Sequence, residues 1–274
     1  MHYRRVLTVQ DISCVGQCSM TVALPILSAC GQECCVLPTA VLSTHTGGFG
    51  KPEIVHLTAA AEGMWQHWKS QGITFDAVLV GYLGSREAIA MTHRILDNLL
   101  AEDGIAIIDP AMGDHGKLYA GFDEEYVEAM KGLCARADIL IPNITEAAML
   151  TGLEFRQVID RHYVNTLADK IGVSRMVLTG VGYDDDSTGV LVKDGENRSH
   201  YSHRKVGASC HGTGDMFAAC FTGCLMAGKT MEEAVKIAAD FTVLAIEKTV
   251  QAPAHWYGVK FEAALPDLIA MLKA

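Results

Sequence analysis

Gly212-Thr213-Gly214-Asp215-Met216-Phe217-Ala218-Ala219 reads as a glycine turn opening into an apolar helix. Glycines let the backbone pass close to a ligand, and the free N–H groups and dipole of a helix N-terminus favour an anion such as phosphate. Asp215 falls in the first turn. A carboxylate repels a phosphate, so a mere anion cradle gains nothing from it, whereas a general base that takes the proton of an attacking hydroxyl belongs there. The plainer alternative is a favourable charge at a helix N-terminus. No G-x-x-x-x-G-K-[ST] sequence occurs, which argues against a P-loop enzyme. Gln10-Asp11-Ile12-Ser13-Cys14-Val15-Gly16 stands where a dinucleotide-binding G-x-G-x-x-G would follow the first strand.

Upstream of the turn, apolar runs rich in Val, Ile and Leu occupy residues 4–9, 34–41, 77–80, 105–108, 139–141 and 176–178. Short continuous runs of this kind fit parallel strands covered on both faces. Segments of helical spacing lie between them, at 18–30, 53–70, 85–102, 123–136, 145–152 and 157–171. The alternation predicts right-handed crossovers and an α/β fold, a three-layer α/β/α sandwich around a mostly parallel central sheet. Near the end the rhythm changes: residues 188–193 and 198–205 flank Asp194-Gly195-Glu196-Asn197 as a β-hairpin. Helical spacing then fills 213–228, 231–248 and 261–273. No repeat or interdomain linker interrupts the pattern, so residues 1–274 are expected to form one domain.

Half of the 274 residues are hydrophobic, a fifth are charged, and the formal net charge is −10. No run of Lys or Arg stands out, so neither nucleic acid nor an anionic membrane is an expected partner. The first apolar stretch is too short for a signal peptide, and nine cysteines, an odd number, fit free thiols; the expected location is the cytoplasm. Cys14/Cys18 and Cys220/Cys224 have the spacing of one helical face, but a pair is less than a metal site usually needs.

Four further segments carry chemistry. Tyr82, in Gly81-Tyr82-Leu83-Gly84-Ser85, follows a strand, where open α/β sheets bind ligands. His45 and Thr46, in Ser43-Thr44-His45-Thr46, follow the second strand. Asp109 opens Asp109-Pro110-Ala111-Met112-Gly113-Asp114, and could simply end a strand. Glu146, in Pro142-Asn143-Ile144-Thr145-Glu146, could simply stabilise a helix opened by Asn143. Together Asp109 and Glu146 offer oxygen ligands, direct or through water, for a Mg²⁺ that bridges phosphates.

These segments and Gly212-Thr213-Gly214-Asp215 resemble, in order and spacing, the pyridoxal kinases of the ribokinase-like superfamily, over nearly the whole chain. The resemblance implies transfer of the ATP γ-phosphoryl group to the 5′-hydroxymethyl group of a vitamin B6 vitamer (pyridoxal, pyridoxamine or pyridoxine), in pyridoxal 5′-phosphate salvage. It makes Asp215 the general base and Gly212, Thr213 and Gly214 the anion hole. Asp109, Asp114, Glu146 and Thr179 would face the Mg²⁺-ATP, with Asp109 and Glu146 at the metal and a monovalent cation left open. Asp11, His45, Thr46 and Tyr82 would line the pyridine pocket. Residues 113–119 would form a flap over the phosphates, with His115 and Lys117 as candidate contacts. A homodimer is expected by analogy.

Asp11 departs from the pattern, since many similar pyridoxal kinases have a serine there. An aspartate is similar to hydroxymethylpyrimidine kinases, so such a kinase or a dual-specificity enzyme is the alternative. A silent vitamer-binding regulatory protein on the same fold is the non-enzymatic one.

Overall fold

The computed structural model describes residues 3–207, 210–252 and 254–273. The first half contains β1 (Arg5–Ser13), α1 (Met20–Ala29), β2 (Glu33–Leu42), β3 (Ile54–His56), α2 (Thr58–Ser70), β4 (Phe75–Val80), α3 (Arg86–Leu99) and β5 (Leu100–Ile108). Then come β6 (Gly113–Asp114), β7 (Lys117–Leu118), α4 (Glu124–Cys134), β8 (Ile139–Leu140), α5 (Ile144–Thr151), α6 (Arg161–Ile171) and β9 (Arg175–Thr179). The hairpin β10 (Ser187–Asp194) and β11 (Asn197–Arg204) precedes α7 (Thr213–Met226), α8 (Met231–Val250), a 3₁₀ turn at Phe261–Ala264 and α9 (Leu265–Lys273). No helix among the described residues is long and apolar enough to cross a membrane.

The large sheet runs β11-β10-β9-β8-β5-β4-β1-β2-β3. Neighbours from β9 through β2 pair in parallel, whereas β3, β10 and β11 extend the sheet antiparallel at its two ends. The mostly parallel sandwich and the hairpin are as expected from the apolar runs. From β1 the chain steps outward to β2 and β3, then returns to β4 on the other side of β1 and continues away from it. The order therefore reverses between β1 and β4, and the crevice beyond their carboxyl ends is where such sheets bind ligands.

Successive strand residues alternate between two cores. Leu7, Val9, Val78, Val80, Ile108, Leu140 and Leu178 pack against α2 to α6. Val6, Ala77, Leu79, Ile107, Ile139 and Val177 pack against α1 and α7 to α9. Burial on both faces explains why these strands read as unbroken apolar runs rather than as alternating ones.

Helix boundaries moved where side chains cap them. Asp123 and Asp160 each accept a hydrogen bond from the backbone N–H three residues on, which starts α4 at Glu124 and α6 at Arg161 instead of at 157. The helix expected from residue 53 is a strand first: Ile54–His56 pairs antiparallel with Ala40–Leu42. Pro52 and the β-branched Ile54 and Val55 favour an extended edge, and α2 starts only with the alanine-rich Thr58-Ala59-Ala60-Ala61.

Candidate active site

Parallel register brings the strand ends to one face of the sheet. Backbone hydrogen bonds continue the pairing past the strands, from Gly81 N to Val9 O (3.1 Å), Asp109 N to Val80 O (2.9 Å), Ile141 N to Ile108 O (2.8 Å) and Thr179 N to Pro142 O (2.9 Å). A cavity of about 480 Å³ opens there. Into it converge Asp109, Asp114, Glu146, Thr179, Gly212, Thr213, Gly214 and Asp215, eight of the twelve residues singled out in the sequence. Phe217, Ala239 and Ile246 supply an apolar wall. Ala239 and Ile246 are helical positions whose spacing reads as ordinary core, which is why sequence reasoning passed over them.

The glycine turn is required sterically. Gly212 has φ +82°, and a Cβ on it would stand 1.9 Å from the Gln17 carbonyl oxygen. Among the described residues no side chain caps α7, which leaves the amides of its first turn open to an anion.

Asn143 and Glu146 form a reciprocal capping box at the start of α5: the Glu146 N–H donates to Asn143 Oδ1 (2.9 Å) and the Asn143 N–H to Glu146 Oε2 (2.8 Å). Glu146 Oε1 also accepts from the Met112 N–H at 3.2 Å. Glu146 thus caps the helix and also faces the cavity, so its capping role leaves a metal contact open. The same helix start fastens the flap, through Asn143 Nδ2 to Gly113 O (2.9 Å) and the Gly116 N–H to Thr145 Oγ1 (3.0 Å). The flap itself is a two-stranded ribbon of β6 and β7 turning at His115 and Gly116, both at positive φ. His115 faces the cavity; Lys117 is exposed and does not line it.

The electrostatics of the cavity are one-sided. Burial, then the charges of Glu146 and Asp215, hold the Asp109 carboxyl well above the usual carboxylate range. Burial lifts Glu146 to about 8 against the pull of its backbone donors. Burial lifts Asp215 to about 6, offset by a backbone hydrogen bond from Ser19 and reinforced by the charge of Asp11. None of the described lining residues is Lys or Arg; the basic groups are His115, His203 and His211. Among the described residues no three His, Cys, Asp or Glu side chains are grouped to hold a metal unaided. Hard carboxylate oxygens without a cationic partner fit a Mg²⁺ that shares its shell with phosphates and water, Asp109 and Glu146 being the residues that would hold it.

The other four expected site residues, Asp11, His45, Thr46 and Tyr82, do not line this cavity. Asp11 is buried beside the switch point, where its N–H donates to Tyr82 O (3.2 Å) and its carboxylate accepts from Ser13 Oγ at 3.1 Å. Tyr82 is half-buried against Phe122, with ring centroids 5.4 Å apart; burial first, then the charge of Asp11, pushes its phenol up to about 12. His45 has both ring nitrogens engaged. The Gly47 N–H donates to Nδ1 (3.0 Å), so Nε2 carries the proton given to Tyr257 O (2.6 Å). It ties the loop after β2 to the C-terminal segment, its ring tilted against that of His211 (centroids 4.9 Å apart), while Thr46 is exposed beside it. This clasp, which also joins Phe49 to Trp256 and Tyr257, links residues too far apart in sequence to be foreseen. All nine cysteines are free; Cys220 and Cys224 lie 4.0 Å apart in the core between α1 and α7.

The sequence profile of the phosphomethylpyrimidine kinase family matches residues 26–259. A pyridoxine/pyridoxal/pyridoxamine kinase of Bordetella avium (strain 197N) is 30% identical over 260 residues, covering 89% of this chain and 85% of its own. A hydroxymethylpyrimidine/phosphomethylpyrimidine kinase of Bacillus subtilis (strain 168) is 29% identical over 180 residues, 64% of this chain and 65% of its own. The crystal structure of pyridoxal kinase from Lactobacillus plantarum superimposes with a TM-score of 0.90 at 31% identity, covering 98% of both chains. The fold is thus that of a ribokinase-like phosphotransferase. The chain belongs to the phosphomethylpyrimidine kinase family, among relatives that include pyridoxal kinases.

Proposed function

We propose that this kinase transfers the γ-phosphoryl group of ATP to the 5′-hydroxymethyl group of pyridoxal, pyridoxamine or pyridoxine, as a vitamin B6 salvage enzyme. The observation that carries the reading is the sharing of one cavity by the capless N-terminus of α7, the carboxylates of Asp109 and Glu146, and Asp215. Asp215, lifted to about 6, is ionised at neutral pH and still basic enough to take a hydroxyl proton. As it does so, the substrate oxygen attacks the γ-phosphorus and ADP departs. The amides after Gly212 hold the phosphoryl oxygens, and the flap over residues 113–118 excludes water that would compete as acceptor. Asp109 and Glu146 would hold a Mg²⁺, directly or through water, which would supply neutralisation of phosphate charge. The vitamer ring would occupy the crevice between β1 and β4, against Asp11 and Tyr82, with His45 and Thr46 at its rim.

Asp11 also supports a second reading, hydroxymethylpyrimidine as an accepted substrate, in line with the Bacillus subtilis relative. The test is the release of ADP from Mg-ATP with each of the three vitamers and hydroxymethylpyrimidine, followed by comparison of kcat/KM. ADP release only with a vitamer supports the first reading, a hydroxymethylpyrimidine preference replaces it by the second, and no release with any of them removes both.

Two further outcomes are expected. The acid limb of kcat/KM should fall near pH 6: the raised carboxyl is protonated below that value, and the rate then drops about tenfold per pH unit. A limb near pH 4 would mean that Asp215 is not the titrating base. Glu146→Gln should raise the Mg²⁺ concentration for half-maximal rate by roughly fivefold, the effect of about 1 kcal/mol of lost charge-assisted contact. Asp109→Asn should act in the same direction. An unchanged Mg²⁺ titration would leave Glu146 with its capping role alone.

A further inference from the structure

The mechanism leaves one side chain at the anion turn without a task. His211 directly precedes Gly212 and lines the cavity together with Gly212, Thr213, Gly214 and Asp215. Contacts on either side fix its backbone: Thr213 Oγ1 donates to Cys210 O at 3.3 Å, and the Gln17 carbonyl fills the space beside the Gly212 Cα. The ring is seated as firmly. It lies on Gly47, where a Cβ would come within 2.5 Å of His211 Cε1, and it is tilted against the His45 ring at 4.9 Å. His45 gives it no hydrogen bond, because the nitrogens of that ring are taken by the Gly47 N–H and by Tyr257 O. Among the described residues neither nitrogen of His211 has a hydrogen-bond or ion-pair partner. The other two histidines of the cavity are engaged, His115 beside Asp114 (Nε2 to Oδ2, 3.5 Å) and His203 with Arg204 O (Nδ1, 3.2 Å). Packing on Gly47 and His45 needs only a flat ring, so the two unused nitrogens call for another explanation.

We propose that His211 is a catalytic residue that donates a hydrogen bond to the phosphoryl group in transfer. The inference rests on the phosphotransfer reading and on the anion turn as its phosphate site. An imidazole has an N–H to donate in either protonation state. His211 stands between that turn and the His45 loop at the rim of the acceptor crevice, so it faces the place where the attacking oxygen meets the γ-phosphorus. The need for it is electrostatic. Asp109, Asp114, Glu146 and Asp215 make the cavity acidic, and none of its described lining residues is Lys or Arg. A donor already aimed at the phosphoryl oxygens stabilises the charge that they carry during transfer, without having to reorganise as the reaction proceeds. His211 gives up no proton in this step; Asp215 takes the one that the hydroxyl releases.

Three variants separate the donor from the ring: His211→Phe keeps a flat ring without a donor, His211→Gln keeps an N–H without the ring, and His211→Ala has neither. Steady-state kinetics, melting, and the affinity for Mg-ADP with and without aluminium fluoride, a mimic of the phosphoryl group in transfer, are measured for each. His211→Phe should lose about ten- to hundredfold in kcat, the effect of one hydrogen bond to a charged group, with KM for ATP and for the vitamer within about threefold of the parent. His211→Gln should turn over several-fold faster than His211→Phe while melting lower, and His211→Ala should match His211→Phe in rate. Aluminium fluoride should tighten Mg-ADP on the parent, and His211→Phe should forfeit about ten- to hundredfold of that gain with the affinity for Mg-ADP alone unchanged. A side chain that only packs on Gly47 and His45 gives the reverse order, His211→Phe as active as the parent and His211→Gln slower, and that order overturns the proposal. A fluoride-dependent gain that is equal in parent and His211→Phe, or absent from both, overturns it too. If the parent phosphorylates none of the vitamers, the substrate reading falls, and the aluminium fluoride comparison still decides the role of His211.

Discussion

Asp215→Asn is expected to lose about a hundred- to ten-thousand-fold in kcat, the usual contribution of a general base, while the protein becomes more stable. The amide keeps the shape of the carboxylate but cannot accept the substrate proton. The gain in stability follows from the sign of the pKa shift. An Asp carboxyl raised from 3.8 to about 6 in the folded protein stabilises the fold fully below about pH 3.8 and loses that contribution as pH rises through 6. At neutral pH the buried charge is therefore a cost, worth up to about 3 kcal/mol for a shift of about two units. Removing it should raise the melting temperature by several degrees at pH 7.5 and by little at pH 4. An Asp that only complements the dipole of α7 predicts the opposite sign, a loss of about 0.3 to 1 kcal/mol on substitution. Turnover at saturating ATP and vitamer, together with melts at both pH values, separates the two. A variant that keeps over half the parent kcat, or one that melts lower at pH 7.5, removes Asp215 from the role of base.

The same contrast between local and long-range causes explains what could be read in advance. Parallel strands buried on both faces announce themselves as apolar runs, so the central sheet and the carboxyl ends that carry Asp109, Asn143 and Thr179 were legible. Residues 54–56 were not, because an exposed edge strand has no burial pattern of its own and the alanines that follow impose a helical reading. Glu146 was legible as a helix-start carboxylate or as a metal contact, and only the position of α5 at the cavity shows the two to be compatible. Ser19 gave no signal: its positive φ comes from a bend that returns the chain to Ile12. The clasp of His45 on Tyr257 is likewise a product of topology, since β2 and the C-terminal segment meet only once the sheet has formed.

Asp11→Ser is expected to change substrate preference more than overall rate. The carboxylate lies at the reversal of strand order, next to Tyr82 and within the field of Asp215, so a ring bound there for attack by its hydroxymethyl group must pass close to it. Pyridoxamine carries a cationic aminomethyl group on the ring at neutral pH, and pyridoxal carries a neutral aldehyde in its place. A charge-assisted hydrogen bond is worth roughly 1.5 to 3 kcal/mol, about a ten- to hundred-fold preference. Burial raises the Asp11 carboxyl, and the hydroxyls of Ser19 and Ser13 work against that rise, so binding a cationic substrate also restores the charged form that burial disfavours. In Asp11→Ser the ratio of kcat/KM for pyridoxamine over pyridoxal should shrink by that ten- to hundred-fold. The Ser13 hydrogen bond gives the competing account, in which Asp11 does no more than brace the turn after β1. Bracing acts on every substrate alike, so it would lower both kcat/KM values together and leave their ratio where it was.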